Sequence, residues 1–164
     1  MNLKKILIYF SIIGGIIPQA FAQKSIILIA DPEVIAIPII EDHEPLVDLK
    51  DQTIIAFGPS PEIPNNTDYT KIRKTVYDRL VQAQALLPKG IKLCLYEGYR
   101  SLNLQHMLFD NIFSKMRGSH PDWSEAQVFE ETIKLVSPVR NRDGSQNTPP
   151  HSTGAAVDVY LLDE

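Results

Sequence analysis

The chain has 164 residues, with 16 basic and 20 acidic side chains, a formal net charge of −4 and a single cysteine. That length suits one modest domain and is too short for two. The acidic balance argues against a nucleic-acid or anionic-membrane partner, since both call for a basic patch, and one thiol excludes an intramolecular disulfide framework.

Residues 1–22 read as an address and not as part of a folded body. Lys4 and Lys5 make a basic start, Ile6 to Ile17 an apolar stretch, and Ala20-Phe21-Ala22 an A-x-A cleavage site. A membrane anchor needs about 20 apolar residues, more than this stretch supplies. The expectation is a cleaved secretory signal, a periplasmic destination and a mature domain over 23–164, with no membrane association after cleavage. Its net charge is then −6, from 14 basic and 20 acidic residues.

From Gln23 to about Pro64 the chain is rich in short β-branched runs (SIILIA, VIAIPII, TIIAFG) broken by Pro32, Pro38, Pro45, Pro59, Pro61 and Pro64. The prolines forbid long helices, so short strands or extended segments are expected. Between Thr70 and Leu87, the apolar residues Ile72, Val76, Leu80, Ala83 and Leu87 recur at helical spacing, with Pro88 and Gly90 as the stop. Ile91–Glu97 (IKLCLYE) alternates as a buried strand, in which Cys94 is expected to be an inert buried thiol.

Ser101 is a suitable N-cap for a second helix running to about Arg117, with Gly118 as a left-handed stop and Leu104, Leu108, Phe109, Ile112, Phe113 and Met116 as its apolar stripe. A third helix is announced by DWSE, read as a capping box of Asp122 and Glu125, and runs to about Val136 before Pro138. The polar stretch 141–150 then delivers the chain to His151, and AAVDVYLL alternates again as a strand. The fold class expected is α+β, a small antiparallel sheet packed with about three helices.

His151 and Asp158 carry the chemistry of the tail. On one continuous strand, residues seven apart point to opposite faces. A shared ligand therefore requires a turn between them, and Gly154 is the residue able to make it. Beyond that turn Ala156, Asp158 and Tyr160 fall on one face, with Val157, Val159 and Leu161 on a core face. An imidazole with a carboxylate suits zinc, whose catalytic sites take three protein ligands and keep a fourth position open. His43, His106 and His120 lie in an acidic loop, on the second helix and in a turn, and are expected to be solvated or locally satisfied.

The segment HSTGAAVD resembles the H-x-x-G-x-A-x-D signature of the zinc-dependent D-alanyl-D-alanine peptidases. EGYRS resembles the (D/E)-G-Y-R segment of their dipeptidase branch, the vancomycin-resistance-type dipeptidases, and PIIEDHEPLVDLKD is similar to the opening of their mature domain. The resemblance implies a hedgehog/DD-peptidase-like fold and zinc-dependent hydrolysis of D-Ala-D-Ala or a related small peptide, with a D,D-carboxypeptidase or a non-catalytic remnant as alternatives. It implies His151 and Asp158 as two zinc ligands and Arg100 as the group that stabilises the oxyanion; an ion pair of Arg100 with Glu97 is the structural alternative. In the family, the general-base glutamate and a third ligand, a histidine, come from an E-x-x-H segment further on. This sequence contains no such segment, so the expectation is a domain incomplete at its C-terminus, inactive as supplied and underpacked along its last strand. Pro149 stands where many relatives carry a substrate-holding serine. Nothing in the sequence speaks to oligomeric state.

Overall fold

The computed structural model describes residues 27, 31–64 and 66–163. The expected signal segment at 1–22 lies outside the described residues, as does most of SIILIA. No described helix is long and apolar enough to cross a membrane.

The architecture is α+β. A single helical turn, α1 (Pro32–Ile35), takes up part of VIAIPII, where extended chain was expected; Pro32 at its first position needs no helical N–H partner. The strand β1 (Leu46–Asp48) follows and runs into a short 3-10 turn at Leu49–Asp51. Next come β2 (Ala56–Phe57), β3 (Lys71–Arg73), α2 (Lys74–Ala85), β4 (Ile91–Glu97), α3 (Leu102–Ser119), α4 (Glu125–Thr132) and β5 (Asp158–Asp163).

Two small sheets result. β1 and β3 pair antiparallel, with Val47 opposite Ile72. The second sheet has the order β2-β4-β5, in which β4–β5 is antiparallel and the two-residue β2 runs parallel to β4. The antiparallel expectation therefore holds for the two longer pairings, and one short parallel pairing is added.

The core lies between α2 and the sheets. Leu49, Ile55, Ile72, Tyr77, Leu93 and Leu95 are its buried members, with Val76, Leu80, Val81 and Val157 packed against them. Each such aliphatic side chain, fully buried, stabilises by about 1.5–3 kcal/mol. Cys94 is buried within β4, as expected of an inert thiol.

The helix expected from Thr70 begins only at Lys74, because Lys71–Arg73 hydrogen-bond to β1; Ile72 fits a helical stripe, but its backbone belongs to a sheet. Ser101 caps α3 as expected, accepting from the Leu104 N–H at 3.2 Å. The helix continues through Gly118 and ends at His120. Phe109 stacks on Phe113 and meets Phe129 of α4 at 5.5 Å between ring centroids, which holds the two helices together. The capping box of α4 is Ser124 with Gln127, not Asp122 with Glu125, and the helix stops at Thr132. Thr132 there bonds its own helix through Val128 O.

The final strand shows the expected underpacking. All six residues of β5 are exposed, Val159 at 42% and Leu161 at 59%, so the face read as a core face is open to solvent. Only Val157, just ahead of the strand, reaches the core.

Candidate metal and catalytic site

The site is built where the end of β4 meets the turn before β5. Pro150–Thr153 forms a 3-10 turn that ends on Gly154 in the left-handed region, φ 74°. This is the reversal the spacing of His151 and Asp158 requires. A side chain at position 154 would also meet Leu46 Cδ2 at 2.5 Å, so glycine is needed there on two counts. The Gly154 carbonyl accepts from Arg73 N–H at 2.9 Å, and Thr153 O accepts from Arg73 Nε at 2.8 Å, fastening the turn to β3.

β4 supplies the other half. Leu95 pairs with Val159 but Glu97 pairs with Asp158, so one extra residue, Tyr96, is accommodated in β4. Such a bulge re-aims the side chain beyond it. Here it places the Glu97 carboxylate opposite that of Asp158. Gly98 N–H then donates to Tyr69 O and Tyr99 N–H to Lys71 O, each at 2.7 Å, pinning EGYR to β3 and the residues before it.

Across this junction His151 Nδ1 donates to Gly98 O at 2.9 Å, so Nε2 is the ring nitrogen left to serve as a ligand. That Nε2 stands 3.5 Å from Asp158 Oδ2. Two donors on one tetrahedral zinc lie about 3.3–3.6 Å apart, given bonds of about 2.0–2.2 Å. The pair therefore fits a metal in spacing, tautomer and chemistry. Among the described residues Glu97 joins them, and one donor atom from each of Glu97, His151 and Asp158 lies within 4.8 Å of the others. Glu97 is buried, the His151 side chain is 19% exposed and Asp158 is open at 56%.

Arg100 is held by the same frame. Its backbone N–H donates to His151 O at 3.1 Å. Its guanidinium grips Glu97 with two N–H groups, Nε to Oε1 at 3.0 Å and Nη2 to Oε2, while Nη1 donates to Gln105 Oε1 at 2.9 Å and Nη2 reaches Glu62 at 3.3 Å. The structural alternative for Arg100, an ion pair with Glu97, is thus formed. Arg100 also lines the cleft that it shares with His151 and Asp158. Burial pulls the guanidinium pKa down, but the Glu97 bond and the charges of Glu97, Glu62 and Asp158 outweigh it and hold it raised. Burial pushes the Glu62 carboxyl up, and Glu97 and Asp158 push the same way against Arg100 and His151.

Glu62 and Gln105 were not singled out by sequence reasoning. Gln105 is buried on α3, where an amide among Leu104, Leu108 and Phe109 breaks an apolar stripe; it donates to Ser137 O at 2.6 Å while accepting from Arg100. That break was the available signal. Glu62 lies in a proline-rich loop with no periodicity to mark it. The other histidines stand apart: His43 is exposed, His106 is solvent-facing beside Asp110, and His120 stacks on Trp123 at 3.7 Å.

A cleft of about 370 Å³ opens beside the site, lined by Arg100, His151, Asp158, Pro149 and the 133–137 segment. Pro149 is fully buried and, having no hydroxyl, offers the cleft no polar side-chain contact.

No family model matches the chain. It is 26% identical over 146 residues to a D-alanyl-D-alanine dipeptidase of Synechocystis sp. (strain ATCC 27184 / PCC 6803 / Kazusa), covering 79% of this chain and 58% of that relative. The chain thus spans less than two thirds of that relative's length. Among solved structures, VanYB in complex with D-alanine-D-alanine superposes over 66% of this chain and 52% of its own at a TM-score of 0.43 and 19% identity. A vancomycin-resistance D,D-pentapeptidase VanY mutant in complex with Zn(II) superposes over 65% and 59% at 0.42 and 20%. Overlaps this loose carry no argument about the site.

Proposed function

We propose, on the premise that this chain is a relative of the D-alanyl-D-alanine dipeptidases, that it is a zinc-dependent hydrolase of D-alanyl-D-alanine. The observation that carries the reading is the approach of His151 Nε2 to Asp158 Oδ2 at 3.5 Å, with Nδ1 committed to Gly98 O. His151 and Asp158 would hold the metal. Bound there, zinc would lower the pKa of a water and polarise the scissile carbonyl.

The remaining work belongs to the chain's own groups. Gly98 O holds His151 in the ligating tautomer. Arg100 keeps a permanent positive charge at the cleft, where a negative charge develops on the carbonyl oxygen; fixed charge so placed contributes several kcal/mol to lowering a barrier. Glu97 and Gln105 orient it. The cleft is at the small end of ligand sites, in keeping with a dipeptide. Export to the periplasm is part of the proposal and rests on residues 1–22.

The two glutamates nearest the pair, Glu97 and Glu62, are both engaged by Arg100, so neither stands free as a general base. Little hydrolysis is therefore expected of these 164 residues alone. Zinc content and D-alanine release from D-Ala-D-Ala are to be measured on the purified protein, with an N-acylated D-Ala-D-Ala peptide to separate dipeptidase from carboxypeptidase. Bound zinc lost in His151→Ala and Asp158→Asn supports the site, whereas zinc unaffected by both rejects it. Brisk turnover would show that a base is already in place.

A further inference from the structure

We propose that Glu97 is itself a metal ligand, so that Glu97, His151 and Asp158 form a site of one imidazole and two carboxylates for a divalent cation. This deepens the zinc reading above and rests on it. Three observations carry it.

The first is position. The bulge at Tyr96 sets Glu97 opposite Asp158 across an antiparallel pair. Side chains so placed have Cβ atoms about 4.5–5.5 Å apart, and two like charges there destabilise the sheet. A cation bound between them removes that repulsion.

The second is charge. Glu62 and Glu97 share one guanidinium, Arg100, and Asp158 stands beside His151. Three carboxylates thus gather around one permanently charged side chain, an excess that a divalent ion offsets.

The third is lone-pair capacity. A carboxylate offers about four acceptor positions, and Arg100 occupies two of those on Glu97. The others remain for a metal. The Arg100 grip also holds the buried carboxylate in place, so little ordering is required on binding.

The test uses the purified protein titrated with zinc, and with cobalt(II) as a visible probe of the ligand shell. Glu97→Gln keeps the side chain's size and an acceptor for Arg100 but removes the anionic donor. The expected result is a loss of zinc affinity of at least about tenfold together with a changed cobalt d–d spectrum. Zinc affinity within about twofold of the unaltered protein and an unchanged spectrum would overturn the assignment, while leaving His151 and Asp158 as ligands. If circular dichroism shows Glu97→Gln to be unfolded, zinc-edge anomalous diffraction on crystals of the unaltered protein decides. Zinc at about 2.0–2.2 Å from a Glu97 oxygen supports the assignment, and zinc on His151 and Asp158 with Glu97 out of bonding range overturns it. Failure of the unaltered protein to take up zinc would overturn the zinc reading as well.

Discussion

Gly98 does two things at once. Its carbonyl sets the His151 tautomer, and its α-carbon passes so close to β3 that a Cβ would sit 2.6 Å from both Lys71 O and Ile72 Cγ2. Gly98→Ala is therefore expected to cost about 1–3 kcal/mol through overpacking, read as a lowered urea midpoint, and to weaken zinc uptake by moving the carbonyl. At this scale the sequence was informative about residue types: His151 and Asp158 meet across the Gly154 turn as their spacing required, and Arg100, to which only the resemblance pointed, lines the same cleft. It was silent on Glu97 as more than a partner for Arg100. The bulge that turns Glu97 toward Asp158 leaves the alternation of IKLCLYE undisturbed.

Elements with a clean period were legible and those defined by a partner were not. β4 occupies Ile91–Glu97 as read, and α3 starts after Ser101. The start of α2 was misplaced because pairing with β1 takes Lys71–Arg73. That pairing depends on Asp48, whose Oδ1 accepts from Thr70 Oγ1 at 2.6 Å and from Lys50 N–H at 3.0 Å. Burial alone would raise the Asp48 carboxyl, but these two bonds outweigh it and hold it below its ordinary 3.8. A depressed carboxylate contributes stability that is present above the unfolded value and lost as pH falls through the folded one. The expected outcome is a drop in stability below about pH 3.8 that Asp48→Asn flattens, followed by chemical denaturation across pH. Asp48→Ala should cost about 1–2 kcal/mol at neutral pH.

The whole molecule is asymmetric in how well its sheet is covered. Leu95 is fully buried in the central strand, while Leu161 on the edge is 59% exposed. Leu95→Ala is accordingly expected to destabilise by about 2–5 kcal/mol, and Leu161→Thr by no more than about 0.5 kcal/mol; thermal melts of the two variants check the contrast. The α+β class could be read from alternating and helical periods, whereas the underpacking of β5 followed from the resemblance and not from the strand's own pattern. VYLL has the composition of a buried strand, and only the three-dimensional arrangement shows Val159 and Leu161 open to solvent.

An uncovered apolar edge of this kind would invite other chains to add on strand by strand. The sequence of β5 is bracketed by Asp158 and Asp163. In antiparallel stacking of two copies each acid would face the other acid, and in parallel stacking each would face its twin, so both alignments set like charge against like. Asp158 thus stands as a gatekeeper against aggregation as well as a candidate ligand. Once its charge is neutralised by a metal, Asp163 is left as the principal guard of that edge.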